Sequence, residues 1–325
     1  MHHYPCQVSK IAITGGAGFV GTNLARALIQ NNHDVLILDD FSTGLKSNLS
    51  GLDCQIKQIS LTEYEKVKKA LSQIEYIFHL GARGSVPRSI KNPVATMEVN
   101  VTGTLNVLES ARVTGATVAF SSSSSVYGSN LGLPKNENMW MAPLTPYAAS
   151  KLSGEALVSS YIEAYQIRAI TYRFFNIFGP WQRPDHTYAA VIPKWIWKLM
   201  HSQTIEVFGD GSQSRDFTYI DTVVAVLMKG MEDQITFSRP VNLAFGSLIT
   251  LNQCIEELRT RFPRIEVKFL PERPGDVRNS QNDPTLIKSL FPKIEPIGFS
   301  QGLERTIDWF IENGTTISNG PSVAD

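Results

Sequence analysis

The stretch Thr145-Pro146-Tyr147-Ala148-Ala149-Ser150-Lys151 sets a phenol and an ammonium four residues apart. Proline has a fixed φ and no N–H, so Pro146 suits the first position of a helix, with Thr145 as its N-cap. Tyr147 then lies in the first turn, and Lys151 projects from the same face. A phenol titrates near pH ~10, so half-ionising it at neutral pH takes about three units, or roughly 4 kcal/mol. A cation about 4 Å away supplies on the order of 4 kcal/mol at an effective dielectric of ~20, and the helix N-terminus adds ~0.5 kcal/mol. Such a pair can remove a hydroxyl proton, Tyr147 as general base with Lys151 lowering its pKa. Tyr and Lys four apart also occur on ordinary amphipathic helices, so the assignment depends on the rest of the chain.

A second chemical pattern stands near the start. Lys10-Ile11-Ala12-Ile13-Thr14 is a short apolar run ending in Gly15-Gly16-Ala17-Gly18-Phe19-Val20-Gly21. A helical pattern follows through Leu24, Leu28 and Ile29, then a second apolar run, Val35–Leu38, closing on Asp39-Asp40. Strand, Gly-rich turn, helix, strand and terminal acid make a dinucleotide-binding βαβ unit. Gly15 and Gly16 permit a tight turn, Gly18 lets backbone approach a pyrophosphate, and Gly21 lets the helix pack on the strand. The helix amides then meet the phosphate charge. Asp39, 18 residues after Gly21, would accept from the adenosine ribose hydroxyls and repel a 2′-phosphate, favouring NAD over NADP.

Further strands read at Gln55–Ile59, Tyr76–Leu80, Val118–Ser121 and Ala169–Phe174, with helices near Thr62–Ser72, Pro93–Val113 and Pro146–Tyr165. Alternating strands and helices predict an α/β fold, a Rossmann-type doubly wound parallel sheet with ligands beyond the carboxyl ends of its strands. The conspicuous residues fall there: His79-Leu80-Gly81-Ala82, the run Ser121–Ser125 before Val126-Tyr127-Gly128, and Arg173-Phe174-Phe175-Asn176. After Gly179-Pro180 the pattern loosens into a smaller α/β lobe. It holds a helix at Tyr188–Met200 with Pro193 as a kink or boundary, a strand and turn at Val207–Gly211, and Arg215–Tyr219 leading to another helix. Amphipathic helices follow at Leu251–Phe262 and Gln301–Glu312, with a loop at Arg273-Pro274-Gly275-Asp276 between them. The expected division is 1–178 for the NAD-binding domain, 179–314 for the substrate lobe and 315–325 for a disordered tail.

The 325 residues suffice for a large core, and 30 basic against 30 acidic residues give no net charge. That balance argues against electrostatic binding to nucleic acid or an anionic membrane. No apolar run reaches the ~18 residues of a membrane span, and the N-terminus, with His2, His3 and Tyr4, lacks the pattern of a signal peptide. Cys6, Cys54 and Cys254 are odd in number without CxxC spacing, as for reduced thiols in a cytoplasmic protein. The six His show no ligand-like pairing, so no metal is expected.

Together these residues resemble the extended short-chain dehydrogenase/reductase family, in its branch of nucleotide-sugar epimerases and dehydratases. The likeness covers nearly all of the chain and continues through Gly209-Asp210-Gly211, Arg215-Asp216-Phe217 and Arg273–Asp276. Within that branch the chain is similar to UDP-N-acetylglucosamine 4-epimerases and their uronic-acid-using relatives, through Gly84–Ser89, Tyr188–Trp195 and Arg278-Asn279-Ser280-Gln281.

The resemblance implies a tightly bound NAD touching Gly15, Gly18, Phe19, Val20, Asp39, Asp40, Ser42, Gly44, Ser60, Leu61, Leu80, Gly81, Ala82, Asn100, Ser121, Tyr147, Lys151 and Phe174. It implies catalysis by Tyr147, Lys151 and Ser123, with Ser123 bonded to the reacting sugar hydroxyl beside its neighbour Ser124. It implies a UDP-sugar held at its diphosphate by Asn176, Arg215 and Arg273, and at its uracil by Ala190, Val191, Val207 and Phe208. Ser85, Asp276 and Ser280 complete that set. Epimerases restricted to plain hexoses carry a bulky aromatic where Ser280 stands, so a 2-acetamido group is expected to fit. Family members commonly form homodimers, here expected through Pro93–Val113 and Pro146–Tyr165.

Two departures matter. Ser60-Leu61 stands where the family usually has an Asp that meets adenine, and the five-Ser run replaces the Thr-Asp-Glu of sugar 4,6-dehydratases. The nearest later acid is Glu137, in another segment. Epimerisation therefore leads, ahead of dehydration and of a non-catalytic dinucleotide-binding regulator.

Overall fold

Two periodicities build the first lobe. In its strands alternate residues face opposite sides of a sheet, and in its helices an apolar stripe recurs each turn. The computed structural model describes residues 10–184, 190–272 and 278–317. In chain order its strands are β1 (Lys10–Thr14), β2 (Asp34–Asp39), β3 (Gln55–Gln58), β4 (Tyr76–His79), β5 (Thr117–Ser123), β6 (Ala169–Phe174), β7 (Asn176–Phe178), β8 (Ile205–Phe208), β9 (Ser214–Arg215), β10 (Phe217–Tyr219), β11 (Val241–Leu243), β12 (Ile249–Thr250) and β13 (Val267–Leu270). The helices are α1 (Phe19–Gln30), α2 (Tyr64–Ala70), α3 (Val86–Lys91), α4 (Pro93–Met97), α5 (Gly103–Thr114), α6 (Pro146–Tyr165), α7 (Val191–Met200), α8 (Ile220–Glu232), α9 (Leu251–Arg259), α10 (Thr285–Leu290) and α11 (Phe299–Ile317).

The main sheet runs β11-β6-β5-β4-β1-β2-β3, with each neighbouring pair parallel. Strand order reverses between β1 and β4, which opens a crevice at their carboxyl ends. In β1, Ile11 and Ile13 face one core and Ala12 the other. The first core continues through α1 and α8 into the second lobe, and the other lies under α5 and α6. Outside the main sheet the described residues form three strand pairs: β7 with β10, β8 with β13, and β9 with β12.

The expected doubly wound sheet is present, and Ala169–Phe174 and Pro146–Tyr165 fall on their expected bounds. Three features differ. The chain returns to the main sheet with β11, so the cut at 178/179 does not separate the lobes. The helix expected over Pro93–Val113 is divided by a π-helical turn at Glu98–Thr102, a local widening that re-aims side chains. The last helix extends to Ile317, past the expected end at Glu312. Tyr188, Ala189, Arg273 and Asp276 lie outside the described residues.

Candidate active site

The crevice begins at the glycine turn. Gly15 has φ +70°, and a Cβ there would lie 2.7 Å from Gly81 Cα, so the β1 and β4 loops touch backbone to backbone. A Cβ on Gly21 would stand 2.4 Å from Gly15 O, which fixes why α1 can begin so close to the turn. No side chain caps the first turn of α1, leaving its amides directed at an anion. Asp39, 8% exposed, accepts from Ala17 N–H at 2.9 Å and Phe41 N–H at 2.8 Å. Burial raises its pKa while those amides oppose the rise. Each carboxylate oxygen keeps acceptor capacity for a ribose hydroxyl. Gly44 packs on Ala17, and Leu45 N–H and Asn48 Nδ2 donate to Ala17 O. These residues fit a dinucleotide: uncapped amides for its diphosphate, a buried acid for its ribose.

At the far end of the crevice, Thr145 Oγ1 caps α6 by accepting from Ala148 N–H at 3.2 Å, with Pro146 in the first turn as expected. Tyr147 is partly buried and hydrogen-bonds Ser123, the last residue of β5. Lys151, 4% exposed, donates from Nζ to Ser121 O at 2.7 Å and lies 5.2 Å from the Phe120 ring centroid. Desolvation lowers its pKa to about 8, opposed by the Glu155 charge. Burial raises the Tyr147 phenol, and the Ser123 hydrogen bond is what lowers it. The ammonium donates to a strand carbonyl, which satisfies one of its three N–H groups inside the protein.

Behind the pair runs a buried polar network. Ser122 Oγ donates to Glu155 Oε1 at 2.5 Å, and Arg173 clasps Glu155 through Nε at 2.8 Å and Nη2 at 2.7 Å. Arg173 Nη1 reaches the Tyr127 hydroxyl at 2.9 Å, which donates to Asn242 Oδ1 at 2.8 Å. Asn242 Nδ2 continues to Asn282 Oδ1 at 2.8 Å, and Asn282 N–H donates to Asp216 at 2.9 Å. Asp216, fully buried, also accepts from Gly246 N–H, Ser247 N–H and Ser247 Oγ at 3.0 to 3.1 Å. Desolvation pushes it up to about 6 against those donors. Helix α6 and the loops of the second lobe are thus tied by one chain of hydrogen bonds.

The other expected residues divide by place. Leu80, Gly81 and Ala82 lie just beyond β4, Phe174 ends β6, and Ser121 lies two residues before the end of β5. Asn100 sits in the π-helical turn, its Oδ1 accepting from Arg83 N–H at 2.6 Å. Ser42 N–H is held by Asp40, and Ser60 Oγ bonds Thr62 Oγ1 while Leu61 is buried. Ser85 caps α3. Asn176 Nδ2 donates to Asp216 O at 3.3 Å. Arg215 Nη1 donates to Ser214 O and Arg278 O, and Ser280 N–H pairs with Ser214 O. Phe208, Val191 and Ala190 are at least partly exposed. Val207 is corrected: at 0% exposed it belongs to the core, because alternate β8 residues face inward. Sequence reasoning missed Glu155, Tyr127, Asn242 and Asn282. Glu155 carried a signal, being one turn beyond Lys151, whereas the two Asn meet the site only through long-range packing.

Residues 11–244 match the NAD dependent epimerase/dehydratase family. The UDP-glucose 4-epimerase of Mycolicibacterium smegmatis is 32% identical over 314 residues, 93% of this chain and 98% of that one. Among solved structures, UDP-N-acetylglucosamine 4-epimerase from Methanobrevibacter ruminantium, in complex with UDP-N-acetylmuramic acid, is 33% identical with a TM-score of 0.89, covering 94% of this chain and 99% of its own. An NAD dependent NDP-hexosamine 5,6-dehydratase of tunicamycin biosynthesis is 32% identical with a TM-score of 0.85, covering 94% and 98%. Family match, sheet and glycine crevice agree, and the chain belongs to the NAD dependent epimerase/dehydratase family, with NAD as its cofactor.

Proposed function

We propose that the protein is a UDP-sugar 4-epimerase acting on UDP-N-acetylglucosamine and UDP-N-acetylgalactosamine. The observation that carries this is the placement of acids around Tyr147. Ser122 and Ser123 end the active-site strand and Ser124 and Ser125 follow it, and among the described residues the carboxylates nearest in the network are engaged elsewhere: Glu155 by Arg173 and Ser122, Glu137 by the Asn242 backbone amide. Dehydration needs a further acid at C5/C6 beside the base that works at O4. Epimerisation needs only one proton acceptor and donor at O4. The similarity to a UDP-N-acetylglucosamine 4-epimerase, at 33% identity, supports the same reading.

When bound, NAD supplies reversible hydride exchange at the sugar carbon. Tyr147 takes and returns the O4 proton, Ser123 orients that hydroxyl and the phenol, and Lys151 sits behind them as a buried cation. The α1 amides and Asp39 hold the cofactor at its other end. Asn176, Arg215 and Arg273, the last outside the described residues, are assigned to the diphosphate, whose charge a guanidinium suits. Ser280 leaves room for the 2-acetamido group. Residues 1–178 with β11 form the cofactor lobe in this assignment, and the remainder to 314 the substrate lobe. Val94, Leu105 and Val113, exposed on α4 and α5, support pairing of two copies through those helices.

Incubation of the purified protein with UDP-N-acetylglucosamine, followed by proton NMR, tests the reading. UDP-N-acetylgalactosamine is the expected product. A 4-keto-6-deoxy or 5,6-unsaturated sugar assigns the protein to the dehydratases, and conversion of UDP-glucuronic acid alone assigns it to the uronic-acid epimerases.

A further inference from the structure

Between the glycine turn and the catalytic helix lies a side chain that the proposed chemistry does not use. His79 ends β4 with its ring 1% exposed, and every side chain it bonds is equally enclosed. Six hydrogen bonds run through it in series. Gly81 N–H donates to Thr14 Oγ1 at 3.0 Å. Thr14 Oγ1 lies 2.7 Å from His79 Nδ1, and His79 Nε2 lies 2.9 Å from Thr104 Oγ1. Thr104 Oγ1 donates to Asn100 O at 2.6 Å, Asn100 Nδ2 to Ser150 Oγ at 2.9 Å, and Ser150 Oγ to Tyr147 O at 2.7 Å.

The direction of this series follows from counting protons. A hydroxyl has one hydrogen to give. That of Thr104 goes to Asn100 O, so its contact with His79 requires Nε2–H as donor. Nδ1 is then bare and accepts the Thr14 hydrogen, which leaves Thr14 Oγ1 a lone pair for Gly81 N–H. The opposite tautomer would set the Nε2 lone pair against a Thr104 lone pair. An imidazolium would leave the Thr14 hydrogen without an acceptor and put a second cation beside Lys151. Burial and that lysine drive the ring pKa down to about 3.

We infer that His79 is a positioning residue: as the neutral Nε2–H imidazole it couples the Gly81 turn of the cofactor crevice to Asn100 and, through Ser150, to the helical turn that carries Tyr147. The consequence for turnover rests on the assignment of Tyr147 above; the ring state does not.

The test has two arms. In the full chain with 15N-labelled histidine, long-range proton–nitrogen spectra report each ring's tautomer, and His79→Gln identifies the His79 signals. A fixed Nε2–H pattern from pH 6 to 8 is expected, and an Nδ1–H pattern or an imidazolium in that range overturns the inference. The second arm uses Thr104→Val, which removes the relay oxygen, and Thr104→Ser, which restores it. Thr104→Val is expected to lower kcat about five- to tenfold, the worth of one neutral hydrogen bond, with substrate KM unchanged. It is also expected to speed NAD release by a similar factor, and Thr104→Ser to recover both. A Thr104→Val protein that only melts earlier, with kcat and NAD release unchanged, overturns the coupling. If no UDP-sugar is turned over, the proposed function fails, while the ring spectrum and NAD release still decide this one.

Discussion

Glu155 and Arg173 form a two-bonded ion pair, at 2.8 and 2.7 Å, with both side chains 5% exposed or less. Glu155 stands one turn beyond Lys151, so the pair joins the catalytic helix to β6 and holds a negative charge near the buried ammonium. Breaking such a pair leaves an uncompensated charge in the interior. Glu155→Gln is expected to lower stability by about 3–5 kcal/mol, read by chemical denaturation. In the native protein Lys151 loses its proton as pH rises through about 8, so turnover falls on that side. Without Glu155 that alkaline fall moves to lower pH. An unmoved limb would show that Lys151 does not sense this carboxylate.

Asp216 gives a stability dependence of opposite sense to a surface carboxylate. Its folded pKa, about 6, lies above the ordinary 3.8. The raised value means the unfolded chain ionises first, so stability is greatest below the unfolded pKa and declines as pH rises through about 6. The shift of about two units corresponds to roughly 3 kcal/mol. Denaturation midpoints between pH 4 and 7 should therefore fall more for the native protein than for Asp216→Asn. That variant should be weaker throughout, because its amide group would face the donors of Gly246, Ser247 and Asn282.

The Tyr147 phenol is held neutral by burial and aimed by Ser123. Tyr147→Phe should keep bound NAD, seen in the absorbance of the purified protein, and lose about 10²–10⁴ in kcat. Full activity would remove Tyr147 from the chemistry.

Ser280 carries the substrate prediction. Ser280→Tyr should abolish conversion of the N-acetylated sugar and spare UDP-glucose, since only the acetamido group requires the space. Equal loss of both activities would show that Ser280 bears on folding or general binding.

Much of the frame was legible because its signals are local. Gly15 to Gly21, the acid ending β2 and the Thr145-Pro146 cap each fix their own element within a few residues, and α6 and β6 fall on their expected bounds. The return of β11 to the main sheet was not legible, since three residues carry too little periodicity to announce a strand. The π-helical turn at Glu98–Thr102 escaped for a related reason: it widens a helix without changing its apolar pattern. In the site, residue types indicated Tyr147 and Lys151, and the family resemblance Ser123, but not that the Lys151 ammonium would donate to Ser121 O. Val207 was misplaced because strand phase, not residue type, decides which side chain meets the crevice.

The most direct test of the central claim is to run the reaction of UDP-N-acetylglucosamine in deuterium oxide and examine the sugar by NMR and mass. Inversion at C4 with its carbon-bound hydrogen retained, and with C5 and C6 undeuterated and the 6-hydroxyl intact, is predicted. Deuterium at C4, or at C5 or C6 with loss of the 6-hydroxyl, would contradict it.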